Sequence, residues 1–220
     1  MRIAILGGTG DIGEGLALRW AHDTDHEVIV GSRDPDRARE AATAYESELA
    51  DRGVDGDVSG FANAMAADRA DVVVLAVPPY YVADSVEAIA DRVSGSILVS
   101  PAVGIERDED GFHYDPPPTG SVTEHAARAA PEDASLVGTF HNLPAARLAD
   151  LDRDIQLDTP IVGDDPEAKR TVSELVAEIR GLRGLDAGSL ANAREVEMMV
   201  PLLLNVARNT EMEDIGVVFR

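Results

Sequence analysis

The sequence predicts an α/β fold, a doubly wound and mostly parallel sheet with a small helical extension at the C-terminal end. Three observations carry this. A short apolar strand opens the chain and runs into a glycine-rich turn and then a helical stretch. Apolar runs of strand length alternate with helix-like runs almost to the end. The strongest run, Val72-Val73-Val74-Leu75-Ala76-Val77, is continuously apolar, as a strand covered on both faces must be.

The first strand is Arg2-Ile3-Ala4-Ile5-Leu6, followed by Gly7-Gly8-Thr9-Gly10-Asp11-Ile12-Gly13. Gly8, Gly10 and Gly13 permit, in turn, a tight turn, a close backbone approach to a pyrophosphate and close packing of helix on strand. The helix that follows presents free N–H groups and the positive end of its dipole to phosphates. This strand, loop and helix form a Rossmann-type phosphate site. The second strand is His26 to Val30, and Asp34 and Pro35 supply the cap and first residue of a helix over 35–51. A weak strand or loop at 54–58, a short helix at 61–67 and the strand at 71–77 come next. They are followed by a helix over 82–93, a strand at 96–99, an irregular stretch through Gly104, Gly111 and Pro116-Pro117-Pro118, and a helix over 122–130. The sixth strand is 135–140. A strand at 160–163, a helix from Asp165-Pro166 to Arg180, a strand at 182–185 and a helix over 190–207 close the chain. The expected division is a dinucleotide-binding domain over 1–185 and a helical segment over 186–220. Met198, Met199, Leu202, Leu203 and Val206 in that last helix suit core or a subunit interface.

The end of the second strand specifies the nucleotide. A carboxylate there accepts hydrogen bonds from a bare ribose 2′-hydroxyl and repels a 2′-phosphate. This chain has Ser32 and Arg33 instead, followed by Arg37 and Arg39. In a chain with 41 acidic residues against 19 basic ones, three arginines within seven residues point to NADP.

That charge balance, a net −22, would repel a polyphosphate backbone and argues against nucleic acid as a partner. Lys169 is the only lysine, and the acids are spread over helix faces such as 40–51 and 167–178. Self-repulsion on that scale is relieved when molar salt shortens the screening length to about 3 Å, so the composition predicts a halophilic protein. With no cysteine, disulfides, thiolate nucleophiles and cysteine metal sites are excluded. The most apolar run, 196–206, is interrupted by Glu197 and Pro201 and too short to span a bilayer. No signal peptide opens the sequence, so a cytoplasmic protein is expected.

In an open α/β sheet the ligand lies beyond the carboxyl ends of the strands. Those ends read Val77-Pro78-Pro79-Tyr80, Ser100-Pro101-Ala102-Val103 and His141-Asn142-Leu143-Pro144. They predict a rigid, largely apolar crevice wall suited to flat rings. No GxSxG elbow occurs, His22 and His26 are separated by a turn, and His113 and His125 have no obvious partners, so no metal site and no catalytic acid or base is assigned. Direct hydride transfer between two stacked cofactor rings needs positioning above all and fits such a site.

Several segments resemble the coenzyme F420-dependent NADP reductase family. They are Gly7 through Arg19, Val30-Gly31-Ser32-Arg33, Ser100-Pro101, His141 through Arg147, Gly163-Asp164-Asp165, Leu185 through Gly188, and Leu203-Leu204-Asn205 to Ile215-Gly216. The resemblance covers nearly the whole chain and implies an archaeal enzyme passing hydride between reduced F420, a deazaflavin, and NADP. It implies that Thr9, Gly10, Asp11, Ile12, Ser32, Arg33 and Arg37 hold the NADP phosphates, with Val77, Val103 and Ala145 at the nicotinamide end. The deazaflavin would contact His141, Leu143 and Ile215. A homo-oligomer, dimer or tetramer, is expected. Arg37 stands where a lysine is expected in relatives, keeping the charge but changing its geometry. Two other readings stay open on the residues alone: an NADP-dependent reductase of a small imine, keto acid or metal chelate, and a non-catalytic NADP-sensing regulator.

Overall fold

The computed structural model describes residues 1–220. In chain order the elements are β1 (Arg2–Leu6), α1 (Asp11–Asp23), β2 (Glu27–Ser32), α2 (Pro35–Asp51), β3 (Val58–Ala62), α3 (Asn63–Arg69), β4 (Val72–Leu75), α4 (Val82–Glu87), β5 (Ile97–Ser100), β6 (Ile105–Arg107), β7 (Phe112–Tyr114), α5 (Val122–Ala129), β8 (Ser135–Gly138), α6 (Ala145–Ala149), β9 (Leu157–Gly163), α7 (Pro166–Glu178), β10 (Leu182–Asp186) and α8 (Ala193–Thr210). Eight strands form one sheet in the order β3-β2-β1-β4-β5-β8-β9-β10, and β6 and β7 form a separate antiparallel hairpin. All neighbours in the sheet run parallel except β8 and β9. The strand order reverses between β1 and β4, which places the ligand crevice above β1.

The apolar runs divide between two cores with the pleat's period of two. Ile3, Ile5, Val72 and Val74 face a core shared with α1, α2, α6 and α7. Ala4, Leu6, Val73 and Leu75 face the opposite core under α3, α4 and α5. A sheet covered on both sides needs runs that are apolar at every position, which is why β4 is legible in the sequence. Both expected caps form: Asp34 accepts from the N–H of Asp36 at 3.0 Å, and Asp165 from that of Glu167 at 2.8 Å.

Besides shifts of two or three residues at the ends of elements such as α3, β8 and β9, the structure departs from the sequence reading in four places. The third strand lies at 58–62, not 54–58, because Gly60 lets α2 sit directly on it; a Cβ there would come within 2.3 Å of the Ala38 carbonyl oxygen. The helix expected over 82–93 stops at Glu87 and ends in a 3₁₀ turn at Ala90–Arg92. The irregular stretch around Gly111 contains the β6–β7 hairpin, held to α8 by Asn205, whose side chain accepts from Phe112 N–H at 2.9 Å and donates to its carbonyl at 2.7 Å. Short helix α6 lies within a stretch that gives no helical period of its own.

A buried strut fixes α6. Arg19 on α1 is fully buried, and its guanidinium donates to the carbonyls of Leu148 at 2.8 Å, Arg147 at 2.9 Å, Arg153 at 2.9 Å and Asp150. Gly15, one turn earlier, makes room for Leu148 against the helix. At the far edge Lys169 donates to both carboxylate oxygens of Asp186, at 2.8 and 3.1 Å, and to the Gly188 carbonyl at 3.2 Å.

Replacing Arg19 by Met removes its guanidinium donors from four carbonyls of the 147–153 segment, of which only that of Asp150 keeps another donor, the Arg153 N–H at 3.3 Å. The expected cost is about 3 kcal/mol, which lowers the melting temperature by roughly 6–12 °C at this chain length. Thermal unfolding of Arg19→Met checks this, and an unchanged transition contradicts it.

Candidate functional site

The loop between β1 and α1 is built for an anion. Gly7 has φ +79°, and a Cβ on it would lie 2.2 Å from the carbonyl oxygen of Ala76. A Cβ on Gly13 would lie 2.5 Å from the Gly7 oxygen, so α1 begins flush against the loop. Gly10 lends no capping side chain to α1, which leaves the first N–H groups of the helix free for a ligand. The Tyr45 hydroxyl, carried on α2 and buried, donates to the Gly8 carbonyl at 2.8 Å and pins the loop from behind.

Beside this loop lies a cavity of about 800 Å³. Its wall brings together Gly7, Thr9 and Gly10 from the loop, Ser32, Arg33 and Arg37 from the end of β2 and start of α2, and Ala76 and Val77 from the end of β4. Ser32 Oγ already accepts from the N–H of Asp34 at 3.2 Å and has its hydroxyl hydrogen to give. Arg33 and Arg37 are exposed to the cavity, whereas Arg39 turns away and pairs with Asp36 on the outer face of α2. Three spaced anion donors, a glycine cradle and an apolar floor at Val77 fit a dinucleotide with a 2′-phosphate. Gly8 and Gly13 are buried within the loop and Ile12 packs against the core, while Asp11 is exposed in the first turn of α1.

The remaining expected residues stand further along the same edge of the sheet and do not line that cavity. Val103 follows β5 and Ala145 begins α6, both half-buried. Leu143 is buried in the core shared with α1 and α7. Ile215 is half-buried in the C-terminal segment, which crosses the start of β9: Asp158 N–H donates to Val217 O at 2.8 Å, and Asn142 donates its amide to Asp158 O at 2.8 Å. Asn142, next to His141 in the chain, and the segment that carries Ile215 thus meet at the start of β9. Asp158 accepts from Arg183 at 2.6 and 2.8 Å, which holds its carboxyl below the usual range, and the pair latches that segment at Phe219, whose N–H donates to Asp158 at 2.6 Å and whose carbonyl accepts from Arg183 at 2.7 Å.

His141 belongs to a buried polar chain that the sequence does not reveal. Glu197 on α8 is fully buried and accepts from Val122 N–H at 3.0 Å, Thr123 N–H at 2.9 Å, the Thr123 hydroxyl at 2.7 Å and the Tyr114 hydroxyl at 3.0 Å. Burial raises its carboxyl above the ordinary value, opposed by those four donors. Because the Thr123 hydroxyl is committed to Glu197, it receives a hydrogen bond from His141 Nε2 at 3.3 Å. Nδ1 is then an acceptor, and it is buried without a partner. Desolvation pushes the imidazole down to about 3, so it is neutral. The preceding residue, Phe140, has φ +66° with its ring edge-on to Trp20 at 5.7 Å, a conformation costing about 1–3 kcal/mol and held by the core. The sequence reading also missed Asn63 and Tyr81 in the cavity wall; the Pro-Pro-Tyr-Tyr run after β4 is the signal that marks Tyr81.

These features define a doubly wound dinucleotide-binding protein whose site is arranged for a 2′-phosphorylated nucleotide. Residues 2–104 match the model of the family described as NADP oxidoreductase, coenzyme F420-dependent. The chain is 36% identical to the F420-dependent NADP reductase of Methanocaldococcus jannaschii over 99% of this chain and 97% of that one. It is 37% identical to the enzyme of the same name from Methanothermobacter marburgensis, over 99% and 97%. A crystal structure from Arthrobacter sp. FB24, assigned by name to the F420-dependent NADP reductases, superposes with a TM-score of 0.82 at 26% identity, covering 99% of this chain and 98% of that one. The chain belongs to the F420-dependent NADP reductase family.

The depressed His141 value has a consequence for stability. Between pH 6.5 and about 3 the unfolded chain binds this proton and the folded chain does not, so stability falls as pH is lowered through that window. A His141→Gln variant removes this contribution. Between pH 6.5 and 5 it is expected to lose about 2 kcal/mol less than the parent, as read from denaturant midpoints; equal losses contradict the assignment.

Proposed function

We propose that this protein transfers a hydride between reduced coenzyme F420 and NADP⁺. The observation that carries the reading is the cavity that joins the glycine loop to Ser32, Arg33 and Arg37, with the ends of β4, β5 and β8 following one another along the sheet toward His141. The cofactors supply the chemistry when bound: two electrons and one proton pass as hydride from the deazaflavin ring to the nicotinamide ring, and a second proton is released. The chain's own work is placement. The free N–H groups of α1 and the loop hold the pyrophosphate, and Arg33 and Arg37 hold the 2′-phosphate. Val77, Val103 and Ala145 give the nicotinamide an apolar seat. His141, Leu143 and Ile215 receive the deazaflavin, with neutral His141 offering an acceptor through Nδ1 and no charge to oppose the moving hydride. On this reading residues 186–220 complete the deazaflavin end of the site, with α8 also forming the contact of a homo-oligomer through its exposed Met198 and Leu202.

We also propose a halophilic, archaeal and cytoplasmic setting, supported by the net charge of −22 and the single lysine. No helix is long and apolar enough to cross a membrane.

Mixing the protein with NADPH and oxidised F420 in molar salt is expected to bleach the deazaflavin absorbance. NADPH oxidation without deazaflavin, on addition of an imine, keto acid or ferric chelate, would instead favour the wider reductase reading. Arg33→Asp is expected to weaken NADPH binding by roughly 10- to 100-fold and NADH far less; equal losses would overturn the NADP assignment. The melting temperature is expected to rise with KCl from dilute buffer to molar salt, and a flat profile would refute the halophilic setting.

A further inference from the structure

The NADP reading gives Arg33 to the 2′-phosphate and leaves Tyr81 with no task. The guanidinium carbon of Arg33 lies 5.7 Å from the centre of the Tyr81 ring. Arg33 leaves the end of β2, and Tyr81 leaves the 3₁₀ turn Pro79–Tyr81 that follows β4. β2 and β4 flank β1 on opposite sides, so the pair bridges the crevice above the glycine loop, across the cavity both residues line. Neither residue is buried, and a cation–π contact at an exposed site is weak enough for a ligand to open.

Geometry says what fits there. A planar ring stacked between two planar groups needs a contact of about 3.5 Å on each face, so about 7 Å in all. The observed 5.7 Å falls short by an amount that a rotamer adjustment of either exposed side chain can supply. A phosphate held by Ser32 and Arg37 places the base of the same nucleoside beside Arg33. The same wall holds one more unused polar atom, Asn63 Oδ1, buried without a donor, which an amino or hydroxyl group of a nucleoside can satisfy.

We infer that Arg33 and Tyr81 are the two faces of an adenine clamp, in contact with each other in the free protein and parted by the base on binding. This rests on the NADP reading and adds Tyr81 as the residue that recognises the purine half. The Tyr81 ring and the flat face of Arg33 grip a part common to NADPH and NADH, so Tyr81 sets affinity, while the N–H edge of Arg33, with Arg37 and Ser32, sets the preference for the 2′-phosphate.

The experiment compares binding of NADPH, NADH and adenosine 2′,5′-bisphosphate to the parent chain and to Tyr81→Ala, Tyr81→Phe and Arg37→Gln, with thermal unfolding as the control for folding. Base-on-aromatic stacking predicts that Tyr81→Ala weakens all three ligands by a common factor of roughly 5- to 100-fold. Tyr81→Phe stays within about twofold of the parent because the ring face remains. Arg37→Gln weakens NADPH and the bisphosphate and spares NADH. Unchanged or tighter binding by Tyr81→Ala overturns the clamp, since the ring would then only shield Arg33. A parent chain that binds none of the three overturns the NADP reading itself, whereas a parent that binds NADPH while Tyr81→Ala matches it removes the clamp alone.

Discussion

At the end of β1 two backbones come so close that only hydrogen fits between them. A Cβ on Gly7 would lie 2.2 Å from the carbonyl of Ala76, and one on Gly13 2.5 Å from the carbonyl of Gly7. This close approach seats the start of α1, the turn after β1 and the end of β4 against one another. The cavity, the free N–H groups of α1 and the positions of Val77 and Tyr81 all follow from it. Tyr45 reinforces it from the far side by holding the Gly8 carbonyl.

The other half of the molecule depends on a carboxylate. Glu197 caps the start of α5, receives Tyr114 from the β6–β7 hairpin and, through Thr123, sets the tautomer of His141. A buried carboxylate with four donors is strongly oriented, and removing it would leave several buried donors unpaired. It therefore couples α8, remote in sequence, to the strand end where His141 stands. Asn205 ties α8 to the hairpin through the Phe112 backbone, and Asp158 and Arg183 hold the C-terminal segment through the Phe219 N–H and carbonyl, in each case by side chains that satisfy backbone groups across long sequence separations.

What could be read from the sequence was what repeats with a short period or sits in a fixed local order. The strand runs, the Asp34-Pro35 and Asp165-Pro166 helix starts and the glycine loop are of that kind, and Ser32 and Arg33 follow at a known distance from the loop. The β6–β7 hairpin was not legible because its two strands are three residues each and owe their order to Asn205, some ninety positions away. β3 was misplaced because Gly60, which weakens it as a strand, is what allows α2 to pack on it. Glu197 read as an interruption in an apolar run, since nothing local shows that its partners are Thr123 and Tyr114. Asn63 likewise became visible only when β2, β3 and β4 were set side by side around β1, whereas the Pro-Pro-Tyr-Tyr run marks Tyr81 in the sequence.

The single lysine carries a different kind of consequence. Lys169 is engaged by both oxygens of Asp186 and by the Gly188 carbonyl, and its side chain is only 17% exposed. Every cation around the cavity is a guanidinium. Acyl donors, reducing sugars and amine-directed cross-linkers react with free amines and leave guanidinium groups largely alone. The cavity beside the glycine loop therefore offers no side chain to lysine acylation or glycation, and amine-directed labels would leave its charge as it is.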